Sequence, residues 1–476
     1  MRVSRQNAKI GPTDFLIVAV SLLSAVYIAS STQSSTFRLF WVLPASFAIG
    51  WVLVLRELLS RYAFFGSVFL LVCFVRYVFV PDIQTRLGVY DMNYPGSPTA
   101  EDYVTGYGLM VYELLAVCVF LRIYLSVVHR VRSSAPSVEY SWFGSRVGTE
   151  ALSSQHLNIG YWAFLAGVAA MVIARPSSLT TVSFIVPHFD YGLEQSQMDS
   201  LTAYLILIAK NIAFLMLIVH VNSKARSNVA TFVSIVATLV SGCIYVGMNR
   251  SDFLLSMAAS LAVYAAVARR GTKLMVSFAI ASAIPITIIL GASRDFYVDP
   301  SVTGLQNLLN ILQAYAGGVY NVAMSVATRA EYPMYANFPT LLIDIFRPMF
   351  GVNMLMKNLN LVYSSIPFNW AIYGTDHRAQ IIPMVGEGYY TLGAVLSPTL
   401  SIGFTYLALK LSRIARSTRQ VAVFFFLTIT VMRLGFMMGQ SASIQVNDLS
   451  FNLFLPLLLI WVNERLLFKR ADHDVR

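Results

Sequence analysis

The sequence predicts an all-α polytopic membrane protein with about 12 transmembrane helices and both termini cytoplasmic. Three observations carry this. Of 476 residues, 57% are hydrophobic and 12% are charged, whereas a soluble domain carries about 25% charged residues. Apolar runs recur along the whole chain, most of them near the ~20 residues that cross hydrocarbon. The short connections on one side of these runs are rich in Lys and Arg, as the positive-inside rule requires. The net charge of +11 therefore reads as basic cytoplasmic loops, and no nucleic-acid partner is expected. Cys73, Cys118 and Cys243 all lie within apolar runs, so neither a disulfide framework nor a cysteine metal cage is expected.

In chain order, Arg2, Arg5 and Lys9 precede a run too long for a signal-peptide core, which reads as an uncleaved first helix over residues 14–31. Further spans are expected over 39–55, 63–80, 105–125, 158–174, 201–220, 230–246, 253–267, 274–292, 389–409, 421–438 and 449–462. Backbone polar groups cannot stay unpaired in lipid, so each should be helical. Residues 126–157, polar and Ser-rich, form a cytoplasmic connector. Residues 81–103 and 175–199 are external segments. Residues 293–386 form one long external, periplasmic loop containing interfacial helices. Within it Leu305, Leu308, Leu309 and Leu312 recur at helical spacing, and Ala316-Gly317-Gly318 allows a bend. The run over 340–356 is interrupted by Asp344, Arg347 and Pro348, and should lie flat or dip back rather than span.

The external basic residues are informative by type: all except Lys357 are Arg. Arg grips phosphate or carboxylate with a rigid fork, which Lys lacks. Arg250, in the turn Gly247-Met248-Asn249-Arg250-Ser251-Asp252, and Arg294, in Arg294-Asp295, end two helices joined by a short inner turn. They should therefore share one membrane depth, as a diphosphate clamp or as two local salt bridges capping helix ends. Arg433 and Arg76 lie inside apolar runs, where a charge is costly unless it meets a partner or a polar cavity. Lys210 is also mid-span, and Glu113 stands as a partner for such charges. In Thr375-Asp376-His377-Arg378, a carboxylate beside His377 suits a general base and Arg378 suits a leaving phosphate; a solvated surface histidine is the alternative. Asp376, Glu387 and Asp252 compete as the base. No phosphate loop, nucleophile elbow or zincin motif is present, and no metal or other cofactor is expected.

Several of these stretches resemble the Wzy-type oligosaccharide repeat-unit polymerases of O-antigen, capsule and exopolysaccharide synthesis. The likeness rests on Gly247–Arg250, Arg269–Lys273 and Arg294 as a helix pair, on Tyr315-Ala316-Gly317-Gly318, and on Gly386-Glu387-Gly388-Tyr389-Tyr390-Thr391-Leu392-Gly393. Thr391 stands where that family carries Asn, and Asn249 replaces a small residue. The resemblance implies a metal-independent glycosyltransferase in the bacterial inner membrane. It would join polyprenyl-diphosphate-linked oligosaccharides, donor and acceptor both lipid-linked, on the outer face. His377, Asp376 and Glu387 become catalytic candidates; Arg250, Arg294, Arg378, Arg433 and Arg76 become diphosphate ligands. Tyr90, Tyr94, Tyr191, Tyr315, Tyr389 and Tyr390 would stack on sugars or form an interfacial belt. Besides the bilayer, a chain-length regulator and a flippase are the protein partners implied. An O-antigen ligase shares the same plan, and a lipid-linked oligosaccharide flippase or secondary transporter is the competing class.

Overall fold

A computed structural model describes residues 11–92, 94–132, 159–184, 197–224, 228–246, 250–267, 303–356, 359–375, 380–418 and 420–474. It is 84% helical. Six helices are long and apolar enough to cross a membrane: Pro12–Ser31, Ser35–Arg61, Ala63–Leu87, Ala100–Val127, Leu201–Asn222 and Ala442–Arg465. This is the architecture of an all-α membrane protein. The remaining expected spans differ for separate reasons. Ile159–Ala174, Asn228–Cys243, Leu255–Val267 and Val421–Leu434 are apolar but shorter. The run over 274–292 lies outside the described residues, as does most of the connector over 126–157. The run over 389–409 is broken, because Gly393 takes φ 84° at the end of one helix and Pro398 precedes the next.

The helices are α1 (Pro12–Ser31), α2 (Ser35–Arg61), α3 (Ala63–Leu87), α4 (Ala100–Arg132), α5 (Ile159–Ala174), α6 (Gln197–Lys224), α7 (Asn228–Cys243) and α8 (Arg250–Val267). After the undescribed stretch come α9 (Gly304–Ala316), α10 (Val319–Glu331), α11 (Phe338–Phe346), α12 (Val352–Met356), α13 (Ser365–Tyr373) and α14 (Met384–Leu392). The chain ends with α15 (Thr399–Ser417), α16 (Val421–Leu434), α17 (Ala442–Leu449) and α18 (Leu455–Asp474). Two short strands, β1 (Val182–Phe184) and β2 (Ile244–Val246), pair antiparallel with Ser183 opposite Tyr245. The chain divides into two compact units. One comprises Met1–Ser137, Asp299–Leu409 and Arg433–Asn447; the other comprises Val138–Val298, Lys410–Met432 and Asp448–Arg476.

The first unit is built around α10. Nine of its 13 residues are buried, so this part of the expected external loop is core rather than an interfacial helix. Its small residues permit close packing. Ala323 faces Gly106 of α4, where a Cβ would come within 3.0 Å of the Ala323 amide, and Ser325 faces Gly386 of α14. Its hydroxyls cost little to bury, because Ser325 and Thr328 donate to the carbonyls of Asn321 and Met324 one turn back. The preceding α9 is amphipathic as expected. Leu309 and Leu312 pack on Val80 and Ile83 of α3, while Leu305 and Leu308 remain exposed. The bend between α9 and α10 falls at Gly317, with φ 60°. A Cβ there would approach Gly439 Cα at 2.9 Å. Residues 81–87 continue α3 rather than opening a loop. Arg86 pairs with Asp82 at 2.6 Å, and Gly88, with φ 65°, ends the helix.

In the second unit, α7 gives way to β2 after Cys243, which strands carbonyls that an unbroken helix would use. Lys210 of α6 satisfies them. Its Nζ donates to Ser241 O (2.7 Å), Ile244 O (3.1 Å) and Ser256 Oγ (3.0 Å). Two backbone oxygens and one hydroxyl are thus among its partners, and Glu113 pairs with Arg76.

The glycines of Gly386-Glu387-Gly388 fit α14 into its slot. A Cβ on Gly388 would lie 2.2 Å from the Ser397 carbonyl oxygen. Gly388→Ala should therefore destabilise the protein by about 1–3 kcal/mol, read as a lower thermal unfolding midpoint in detergent; an unchanged midpoint would refute this packing.

Candidate functional site

The first unit gathers ionisable groups at two places. The deeper one is intramembrane. The helix α3 widens to a π-turn over Val75–Phe79, a distortion that often marks functional positions. Arg76 on this turn is fully buried. Its Nη1 lies 3.0 Å from Glu113 Oε2 of α4 and donates to the Met438 carbonyl. Ser401 of α15 donates to Glu113 Oε1. Three helices are thus tied by one buried ion pair. Arg76 Nε and Nη2 are buried at this joint with no hydrogen-bond partner among the described residues. Arg433 sits in the last turn of α16 and is half-buried.

The second place lies outside the six long apolar helices. Asp344 on α11 and Glu387 on α14 are both buried and hydrogen-bond to each other. Local chemistry places Asp344: Asn337 caps α11 by accepting from the Thr340 amide at 3.1 Å, and the helix then carries Asp344 inward. The Ser364 amide donates to Asp344 Oδ1 at 3.1 Å and Oδ2 at 3.3 Å. The Ala442 amide, at the start of α17, donates to Glu387 Oε2 at 2.6 Å, and Ser364 Oγ donates to Oε1 at 3.5 Å. Glu387 thereby joins α14, the residue before α13 and α17.

Burial pushes the Asp344 carboxyl up to about 7, against the opposing pull of the Ser364 hydrogen bonds and of the Arg347 charge. Burial, then repulsion from Asp344, holds Glu387 well above the usual carboxylate range. Two carboxyls in contact in a dry site cannot both ionise, so the pair keeps a proton at neutral pH.

Around this pair stand two arginines and several rings. Arg347 follows α11, with its guanidinium carbon 4.1 Å from the centre of the Tyr363 ring. Arg329 of α10 donates to the carbonyls of Tyr389 (2.7 Å) and Tyr390 near the end of α14; the Tyr389 oxygen also accepts from the Gly393 amide at 3.0 Å. Trp370 packs against Tyr332 and Tyr335 at 5.7 Å and 6.2 Å between ring centres. Tyr332, Tyr335, Tyr363, Trp370 and Tyr389 are half-buried. With one proton retained, the carboxyl pair carries at most one negative charge against the two positive charges of Arg329 and Arg347. The arrangement can therefore receive an anion beside aromatic surface.

Of the residues expected to act, Glu387 is in this site, while Arg76 and Glu113 form the intramembrane joint. Asp376, His377, Arg378 and Arg294 lie outside the described residues, as do the side chains of Arg250 and Asp252 and all of Tyr191. Tyr390 is buried, and Tyr90 stacks on Phe37 at 3.7 Å, covering one ring face. Asp344 was missed as a site residue, although a charge between Ile343 and Ile345 was the signal used for Arg433. Among the described residues, no group of three or more His, Cys, Asp or Glu side chains is placed to hold a metal ion. No family model matches the chain, and comparison with curated proteins and with solved structures finds no match.

The pair predicts a pH dependence. Asp344 binds a proton more tightly folded than unfolded, so its contribution to stability is complete below its unfolded pKa, ~4, and is lost as pH rises through about 7. Glu387 shifts in the same direction. The unfolding free energy in detergent should fall between roughly pH 4 and pH 8, by up to about 4 kcal/mol from Asp344. Asp344→Asn, neutral throughout, should flatten that slope. A wild-type slope that the substitution leaves intact would refute the shared proton.

Proposed function

We propose that this protein is a glycosyltransferase that polymerises polyprenyl-diphosphate-linked oligosaccharide repeat units at the outer face of a bacterial inner membrane. The observation that carries the reading is the cluster of Arg329, Arg347 and half-buried aromatic rings around the proton-sharing Asp344–Glu387 pair. It lies in the stretch whose Tyr-Ala-Gly-Gly and Gly-Glu-Gly-Tyr segments resemble the repeat-unit polymerases. A sugar diphosphate on a lipid needs guanidinium groups for its charge, ring faces for its sugars and an apolar surround for its chain.

In the reaction, an acceptor sugar hydroxyl attacks the anomeric carbon of the donor. The bond from that carbon to the diphosphate oxygen breaks, and polyprenyl diphosphate leaves with the electron pair. Arginines stabilise the charge that develops on the leaving group. The hydroxyl proton passes to a general base. In this reading the proton-sharing Glu387 and Asp344 fix α11 against α14, and the hydroxyl proton passes to His377 with Asp376. Arg378 and Arg433 complete the diphosphate contacts of the cluster in this reading, and Arg250 and Arg294 remain the separate clamp expected from the sequence.

Purified protein in detergent, given a synthetic polyprenyl-diphosphate repeat unit, should lengthen it into a ladder of products without a sealed membrane. Absence of the ladder, together with flipping of the same lipid in sealed vesicles, would overturn the reading in favour of a flippase. Transfer only to a non-repeat acceptor would make the enzyme a ligase. Arg250→Lys and Arg347→Lys keep the charge and lose the fork, and each should slow chain lengthening by about tenfold or more with normal membrane insertion. Near-normal rates in both would count against arginine-held diphosphate.

A further inference from the structure

Beside α13 of the first unit lies a second polar network, built from amides and phenols. The loop that follows α3 is pressed onto α13: the Gly96 amide donates to the Ile372 carbonyl at 2.8 Å, and a Cβ at Gly96 would lie 1.9 Å from the Ala371 oxygen. The Tyr320 hydroxyl of α10 donates to Gly96 O at 2.7 Å. These contacts set Tyr94 against Tyr373, with ring centres 5.0 Å apart and planes at 66°. Both rings are half-buried, and Gly374 and Thr375 next to them are exposed.

Behind the rings the amides connect. Gln380 Nε2 donates to Tyr94 Oη at 2.9 Å. The Gln380 backbone is clamped by Asn369, whose Oδ1 accepts from Gln380 N and whose Nδ2 donates to Gln380 O, both at 3.0 Å. Asn321 Nδ2 reaches Gln380 Oε1 at 3.4 Å and Gln313 O at 3.5 Å, the long end of the range and easily exchanged. Asn321 Oδ1 is buried and finds no hydrogen-bond donor among the described residues. An orphaned buried acceptor costs about 1–3 kcal/mol, and this one belongs to the side chain that bonds Gln380, the partner of the Tyr94 hydroxyl.

We propose that Tyr94, Tyr373, Gln380, Asn369 and Asn321 form a subsite for an uncharged pyranose ring of the lipid-linked oligosaccharide. The assignment rests on the glycosyl-transfer reading for the source of the sugar, and on the cluster itself for its chemistry. A pyranose offers an apolar C–H face to an aromatic ring and hydroxyls at its edge, each both donor and acceptor. Side-chain amides match that duality, as carboxylates and ammonium groups do not. The network consists of neutral groups, and Asp91, on the same loop, is engaged by the Tyr103 hydroxyl. No Arg, Lys or His side chain bonds to the network among the described residues, which disfavours a uronic acid. The site would thus select a neutral hexose or N-acetylhexosamine within the repeat, while the arginine cluster receives the diphosphate.

The test is saturation-transfer NMR on the full-length protein in lipid nanodiscs, which avoids sugar-based detergents. The probes are methyl glucoside, methyl galactoside and methyl N-acetylglucosaminide, with glucuronate as the charged control. Transfer to the ring protons of at least one neutral glycoside is expected, with millimolar affinity and little transfer to glucuronate. Gln380→Ala should weaken binding by about fivefold or more. Tyr94→Phe, which keeps the ring and removes one hydroxyl, should weaken it in the same direction and serves if Gln380→Ala does not fold. No transfer to any neutral glycoside, equal transfer in wild type and variants, or preference for glucuronate overturns the subsite. Chain lengthening without such binding removes the subsite and leaves the glycosyltransferase reading. Variant-sensitive binding without chain lengthening keeps the subsite and removes that reading.

Discussion

A charge taken out of water has to be compensated inside the fold, and this chain meets that constraint in three ways. Arg76 and Glu113 compensate each other across two helices, with Ser401 and the Met438 carbonyl taking further bonds. Lys210 is compensated by three oxygens, two of them carbonyls freed where α7 becomes β2. Asp344 and Glu387 are compensated by a proton and by the amides of Ser364 and Ala442. Each solution ties together segments distant in sequence, so the positions of α3, α4, α14 and α17 follow as much from polar satisfaction as from apolar packing. The glycines at 106, 386 and 388 let the helices come close enough for these short bonds to form.

The third solution has a chemical consequence. Burial pushes the Asp344 carboxyl up to about 7, so the charge of the Asp344–Glu387 pair can change near neutral pH. Arg347 lies close enough to feel that change, and an anion bound there would feel it too. The half-buried rings of Tyr363 and Trp370 lie in the same unit, with the Tyr363 ring 4.1 Å from the Arg347 guanidinium.

The fold was legible where periodicity is strong and opaque where polar residues satisfy themselves. Leucines spaced along α9 and the Gly317-Gly318 bend were readable, since each is a local requirement of backbone or face. The burial of α10 was not, because Asn321, Ser325 and Thr328 look like surface residues until their hydroxyl and amide bonds are seen. The break at Gly393 was hidden by apolar residues on both sides. Glu387 was visible through its flanking glycines, but its partner Asp344 stands 43 positions earlier, and no spacing rule links two carboxyls brought together by a tertiary contact. The same holds for Arg76 and Glu113, each conspicuous alone and paired only by the packing of α3 on α4.

The intramembrane charges also bear on the choice between enzyme and carrier. A carrier that moves an ion or a charged headgroup through the bilayer needs a charged group at depth that exchanges partners during the cycle. Lys210 has three strong acceptors at 2.7–3.1 Å, and releasing it would strand carbonyls at the end of α7. The Arg76–Glu113 pair is fully buried and joined to two further segments, so opening it would expose two opposite charges to lipid. Both arrangements resist the rearrangement that transport requires. The group able to change state at modest cost is instead the carboxyl pair, which lies outside the long apolar helices and beside arginines and rings. Within the spans each described charge is thus held by several partners, whereas the Asp344–Glu387 pair, outside the long apolar helices, shares a proton beside arginines and rings.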